Sequence, residues 1–273
     1  MDHTKRSCMK KSIIITNDDG IHEPGIFHLA QCLIPYFEIT IVAPSTQQSG
    51  KGLGITLHHP LKIEKVDFSL PIQAYKVNGT PADCVKMGIS KLLPKAPDFV
   101  ISGINPGDNS GRNALYSGTV GATIEGALRG IPGIAFSCLD FDKAPFEEFT
   151  RHIPSICEYF IQNPLPNGTI INVNCPLKSK GIIQGIKLAT QGLSYWCENT
   201  ANLNSAPIFD HDHYLGASFH HYPEKETSDV HLLGQGFITA VPINVSTLTN
   251  ENHFQEESIK FQNFTNPIQS FSF

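Results

Sequence analysis

The sequence contains no stretch of apolar residues long enough to cross a membrane or to form the core of a secretion signal. The basic N-terminus, with Lys5, Arg6, Lys10 and Lys11, is followed only by Ile13 to Ile15. A membrane span is thereby excluded, and the chain is expected in the cytoplasm. Positive charge is not in surplus either: the formal net charge is -5, which gives no general attraction for nucleic acid or an anionic membrane. The expected partner is a small molecule. Paired cysteines are missing too, since the seven cysteines are odd in number, scattered and without a CxxC spacing. Neither a disulfide framework nor a thiolate zinc site is indicated, and the thiols read as reduced and mostly buried. No GxGxxG follows the first apolar strand, which argues against a nicotinamide dehydrogenase.

What is present is a loop-rich globular chain of 273 residues, 40% hydrophobic, with 22 Gly and 19 Pro. Ser12 to Thr16 (SIIIT) is β-branched and ends abruptly in NDDG, as a buried parallel strand does when it empties into a loop. After Pro24 and Gly25, residues Ile26, Leu29, Ala30 and Leu33 recur at helical spacing, and Glu38 to Ala43 reads as a second strand. The strand pattern returns at Asp98 to Gly103, Pro132 to Ser137 and Gly168 to Asn174, with helices expected over roughly 80–92, 117–130 and 146–162. This alternation predicts an α/β fold, a doubly wound and mostly parallel sheet in three α/β/α layers. Beyond about residue 180 helical periodicity is scarce, Gly236 to Asn244 is strand-like, and the last 20 or so residues show no clear period. We expect a catalytic domain over 1–180 and a smaller β-rich extension and arm over 181–273.

In an open parallel sheet ligands bind where the strands end. Four loops are therefore informative. Thr16 to Gly20 (TNDDG) sets Asp18 beside Asp19; their mutual repulsion would be relieved by a hard dication, although a plain Asx turn uses the same residues. Ala43 to Leu57 carries Ser49, Gly50, Gly52 and Gly54, a flexible connector or a loop whose backbone approaches an anion. Ser102 to Asn113 offers Asn105, Asn109, Asn113 and Asp108, side-chain oxygens suited to a metal or a phosphate. Tyr116 to Gly130 opens a helix with Ser117, Gly118 and Thr119, an ordinary N-cap or a phosphate cradle. A dication held by two carboxylates still accepts a phosphate, polarises it and acidifies a bound water. Most of the 12 histidines read as surface or core residues, including His22, His58 and His59; HDH at 211–213, His220 and His221 read as solvated.

Seven motifs in order complete the pattern: NDDG at 17–20, APxxxxSG at 43–50, GTPADC at 79–84, SGINPGDN at 102–109, YSGTVGATIEG at 116–126, INVNCP at 171–176, and the segment from Ser228 to Pro242. In these the chain resembles the survival protein E (SurE) family of metal-dependent 5'-nucleotidases, over about residues 12–249. The resemblance implies that Asp18, Asp19, Ser49 and Asn105 bind one divalent ion per subunit, Mg²⁺ or Mn²⁺. It implies that Asn109, Gly50 and the Ser117 to Thr119 turn meet the phosphate, with Asp18, Asp19 and Asn109 in the catalytic set. It also implies a Rossmann-like fold whose C-terminal extension is exchanged between subunits in a homodimer or homotetramer, and hydrolysis of nucleoside monophosphates. Two features depart from the family pattern: SGKGLGIT stands where SGxSxSIT is common, so Gly52 and Gly54 replace serines, and Glu23 adds a negative charge. A nucleotide or phosphate sensor that binds without turnover is the alternative.

Overall fold

Ile13, Ile14 and Ile15 are buried whichever way they point, as a central strand covered by helices on both faces requires. The computed structural model describes residues 10–141, 144–199 and 218–265. Strand β1 (Lys11–Thr16) sends Ile13 and Ile15 into one core cluster and Ile14 toward Gly88 on the opposite face. In chain order there follow α1 (Pro24–Leu33), β2 (Phe37–Pro44), β3 (Ile63–Val66), β4 (Gln73–Val77) and α2 (Pro81–Met87). Then come β5 (Phe99–Pro106), α3 (Gly118–Ala127), β6 (Gly133–Cys138), α4 (Phe146–Thr150), α5 (Ile153–Gln162) and β7 (Thr169–Cys175). The remainder supplies β8 (Ile186–Leu188), β9 (Tyr195–Cys197), β10 (Ser218–His220), α6 (Asp229–Gly234), β11 (Ile238–Asn244) and α7 (Glu251–Thr265).

Among the described residues nine strands form one sheet in the order β3-β4-β2-β1-β5-β6-β7-β11-β8. From β4 through β7 every neighbour is parallel; β3 runs antiparallel to β4, and β11 antiparallel to β7. The chain leaves β1 for β2 and β4, then returns to β5 on the other side of β1. That reversal opens a crevice at the carboxyl ends of β1 and β5. Helix α1 buries Ile26, Leu29, Ala30 and Leu33 in the cluster that also takes Phe149, Ile153 and Phe160 from α4 and α5. Val85 of α2 and Ala122 of α3 share a separate cluster with Val100 of β5. The expected three-layer fold is therefore present.

Three elements differ from expectation. The single helix expected over 146–162 is two, because Pro154 lies at the start of α5 and cannot continue the hydrogen-bond ladder of α4. Strands β3 and β4 were not visible in the pattern: they are short strands at one margin of the sheet, β3 its edge and β4 next to it, carrying Glu64, Lys65 and Lys76, and neither shows a buried apolar run. The segment without a clear period contains a 15-residue helix, α7, formed from Glu, Gln and Lys with no Gly or Pro to stop it. Its Phe254, Phe261 and Phe264 are exposed. Past residue 180, β11 and β8 continue the main sheet, while β9 and β10 pair antiparallel as a separate ribbon. Among the described residues no helix is long and apolar enough to cross a membrane. Six described cysteines are free, four of them buried.

One buried acid fastens this later part to the loop after β5. Asp229 is fully buried and accepts from the backbone N–H of Gly111 at 2.9 Å, of Gly192 at 2.7 Å and of Val230 at 2.8 Å. Burial pushes its carboxyl up to about 6, and the three amides pull against that rise. Asp229→Ala would leave the Gly111 and Gly192 amides buried without an acceptor, at roughly 1–3 kcal/mol each. We expect urea titration to show a loss of about 2–5 kcal/mol; an unchanged midpoint would show that this fastening is not needed.

Candidate active site

The NDDG turn is an Asx turn and a site at once. Asn17 closes it, donating from Nδ2 to the Gly20 carbonyl at 2.9 Å and accepting from the Gly20 amide at 3.3 Å. With the turn fixed, Asp18 points into the protein, where it is 4% exposed. The Thr119 hydroxyl donates to its Oδ1, and the amides of Gly118 and Thr119 at the first turn of α3 also donate to it. Burial pushes the Asp18 carboxyl up, with the Thr119 hydroxyl foremost among the groups that oppose the shift. Gly118 permits this contact: a Cβ there would lie 2.8 Å from the Asp18 Cβ and 3.0 Å from its Oδ2. Ser117 caps α3 by accepting from the Val120 amide at 3.2 Å.

Asp19 is half-buried, and its carboxyl is pushed up to about 8, first by burial, then by the Asp18 charge and then by Glu23. Its Oδ2 is buried and has no hydrogen-bond partner among the described residues. Both observations suit a cation: an oxygen with no donor, beside a second carboxylate, gains from a positive charge. Among the described residues no three His, Cys, Asp or Glu side chains cluster as a metal site. A cation at Asp18 and Asp19 would therefore be completed by neutral oxygens.

Neighbouring loops supply them. The Gln48 amide donates to the Asp18 carbonyl at 2.7 Å, tying the loop after β2 to the one after β1. That brings Ser49 to the crevice, exposed and accepting from Gln47 at 3.0 Å. The loop is held further on by the GTPADC motif: Asp83 accepts from the Thr56 amide at 3.0 Å and the Thr56 hydroxyl at 2.6 Å, and the Thr80 hydroxyl donates to the Gly54 carbonyl at 2.6 Å. Gly52, one of the two departures from the serine pattern, has φ +53°, and a Cβ would meet the Leu115 carbonyl at 3.2 Å. Its backbone conformation, more than a lost hydroxyl, explains glycine there.

On the other side of the crevice the register of β5 against β6 shifts between Ser102 and Asn105. Asn105 donates from Nδ2 to the Gly107 carbonyl at 3.1 Å, which leaves Oδ1 for the crevice. Asp108 accepts from the Ser110 amide at 2.7 Å and from Asn113 at 3.3 Å, and burial raises its carboxyl. Asn109 is held from beneath by the strand ends: its amide donates to Asn174 at 3.2 Å, its Nδ2 to Ser137 at 2.8 Å, and its carbonyl accepts from Asn172 at 2.8 Å. Asn172 and Asn174 are the polar positions of INVNCP, and polar residues inside so buried a strand were the available signal of this support.

These side chains meet around a cavity of about 940 Å³. Asp18, Ser49, Gly50, Asn105, Asn109 and Ser117 line it, together with Asp108, Asn113 and Tyr116. Asp19, Gly118 and Thr119 are not among its lining residues, the last two being engaged by Asp18. Its far wall, unseen in the sequence pattern, is Leu139, Phe141, Trp196 and Glu198. His22, His58 and His59 are exposed and away from the lining. His220 lies on β10, His221 follows it, and residues 211–213 fall outside the described residues.

The family model for survival protein SurE matches residues 13–198. The chain belongs to the SurE family. It is 45% identical over 258 residues to a protein of Protochlamydia amoebophila named 5'-nucleotidase SurE, an alignment covering 94% of this chain and 99% of that one. It is 36% identical to the protein of the same name from Thermosipho melanesiensis, over 92% of this chain and 98% of the relative. In structure it is similar to the SurE protein crystallised from Aquifex aeolicus, with a TM-score of 0.75, 31% identity, and coverage of 91% of this chain and 99% of that one. The SurE match spans every predicted site residue and ends just after β9, so the cavity wall at Trp196 and Glu198 lies at its margin.

The close approach of α3 to Asp18 yields a direct prediction. Gly118→Ala must move the carboxylate or the helix, an overpacking cost of about 1–3 kcal/mol. The thermal midpoint should fall by roughly 2–10 °C; no change in a melting scan would show that the contact is slack.

Proposed function

We propose that this SurE-family chain is a metal-dependent phosphatase that hydrolyses nucleoside monophosphates to nucleoside and phosphate, a 5'-nucleotidase. The observation that carries the reading is the buried Asp18 beside the half-buried Asp19, whose Oδ2 has no hydrogen-bond partner among the described residues, at the edge of a cavity shared with Asn105, Asn109 and Ser117. The relatives named 5'-nucleotidase, aligned over most of the chain, support it. Asp18, Asp19, Ser49 and Asn105 would hold one divalent ion, Mg²⁺ or Mn²⁺. Such an ion, when bound, polarises a phosphoryl oxygen and makes a water more acidic.

The protein's own groups do the rest. Asp18 is pinned by Thr119 and α3, so it keeps its position without reorganising. Asp19 retains the oxygen with no internal donor and is the carboxylate with a place for a proton. Asn109 uses one N–H of Nδ2 on Ser137, which orients the other toward the cavity for a phosphoryl oxygen. Ser117 lines the cavity just before α3, whose opening amides are taken up by the Asp18 carboxylate, and the Gly50 backbone lines the approach. We read residues 1–180 as the part that carries the catalytic groups and 181–273 as an extension that adds Trp196 and Glu198 to the cavity wall and also serves a homodimer or homotetramer, a role supported by the exposed phenylalanines of α7. The reading includes a cytoplasmic location and no nucleic-acid partner.

Purified protein with Mn²⁺ or Mg²⁺ and a panel of nucleoside 5'- and 3'-monophosphates should release phosphate. EDTA should abolish the release, and Asp18→Asn should lower it by at least about 100-fold. If no substrate releases phosphate with either metal, the enzyme reading fails and binding without turnover is left.

A further inference from the structure

A second, smaller cavity of about 310 Å³ adjoins the first and shares Asp108, Leu139 and Trp196 with it. The two chambers differ in chemistry. The larger contains the oxygen-bearing side chains that end β1, β5 and the loop before α3, whereas the smaller adds the rings of Phe219 and His221 and the aliphatic Leu177 and Leu233. Trp196 and Phe219 meet edge to face at 5.2 Å between centroids, and Phe219 and His221 at 4.8 Å, so three rings run in sequence from the shared wall into the annex. This wall is fixed rather than loose. The Trp196 amide donates to Asn113 Oδ1 at 2.7 Å and the Arg112 amide to the Ser194 carbonyl at 3.0 Å, both anchored in the loop that also carries Asn109. Yet Trp196 is 42% exposed, too open for a core residue and, with its backbone fastened, too well placed for a random surface ring.

We propose that Trp196 and Phe219 form the nucleobase subsite of this enzyme, with the base stacked at the mouth of the annex while the phosphate lies near Asn109 and Ser117. The inference rests on the nucleotidase reading above and adds how the substrate is chosen. Among the described residues the polar groups of the annex are Asp108, Lys180, Ser110 and His221, and Asp108 already accepts from Ser110 and Asn113. Recognition is therefore by stacking area more than by base-edge hydrogen bonds, because every base presents a π face. The enzyme takes all nucleobases, purines better than pyrimidines, and baseless sugar phosphates poorly. Tyr116, exposed on the larger cavity's opposite lip, is the rival platform.

The chain has a single tryptophan, so its fluorescence reports this position alone. Titration of the metal-free protein with adenosine should quench it saturably, uridine should quench at higher concentration, and ribose 5-phosphate should leave it flat. In the metal-loaded enzyme, Trp196→Leu should lower the ratio of kcat/KM for AMP to kcat/KM for ribose 5-phosphate by about 5- to 100-fold, the range expected for one base–aromatic stack. Trp196→Phe should restore most of that ratio, and Tyr116→Leu should leave it near the parent value. A flat adenosine titration, an unmoved ratio in Trp196→Leu, or a larger fall in Tyr116→Leu overturns the subsite. Ratios can be formed only if the parent protein releases phosphate; release with an unmoved ratio refutes the subsite alone, and absence of release from every ester refutes the nucleotidase reading.

Discussion

A carboxylate removed from water costs several kcal/mol unless donors or a counter-charge meet it, and this chain buries Asp18 directly beside the half-buried Asp19 at the end of one strand. The first of the two is met internally. Thr119 and the opening amides of α3 converge on Asp18, which is possible only because residue 118 has no side chain to intervene. The second is not, and Asp19 keeps a buried oxygen without a donor among the described residues. That imbalance defines the site: one carboxylate is rigid, its neighbour is unsatisfied, and a hard dication answers both conditions.

The fold exists around that pair in a specific sense. Because strand order reverses at β1, the loops after β1, β2 and β5 open on one edge. Each is then fastened to another. Gln48 bonds the Asp18 carbonyl, Asp83 pins the glycine-rich loop through Thr56, and Asn172 and Asn174 prop Asn109 from the end of β7. Asp229 adds a fourth fastening by holding Gly111 and Gly192 together, and the same arrangement sets Trp196 against the cavity. Rigid strands and cross-bonded loops leave little reorganisation for the moment of phosphoryl transfer.

Much of this was legible in the sequence, and the reasons differ by element. β1, β2, β5, β6 and β7 announce themselves through apolar runs, since most of their residues on both faces are covered. β3 and β4 do not, since short, half-buried strands at the margin of the sheet with charges among their few apolar residues have no pattern distinct from a loop. α7 has helix-forming residues but no buried stripe, so periodicity could not find it. Within the site, Asp18, Ser49, Asn105, Asn109 and Ser117 are legible as oxygen-bearing residues at strand ends, in the loops that follow them, or at a helix start. The part played by Thr119 was hidden: hydroxyls at a helix start read as a phosphate cradle, and only the three-dimensional approach of Asp18 shows which carboxylate that hydroxyl serves. The roles of Trp196 and of Asp229, the latter inside the quoted Ser228 to Pro242 segment, were hidden for a related reason, as they act through contacts with residues about 80 and 120 positions away in sequence.

The most direct test of the four-residue site is the stoichiometry of Mn²⁺ binding to the metal-free protein, read by calorimetry or electron paramagnetic resonance. One ion per chain should bind to the parent protein, with binding lost in Asp19→Asn and weakened at least about tenfold in Asn105→Ala. A single Mn²⁺ bound with unchanged affinity in Asp19→Asn would contradict it.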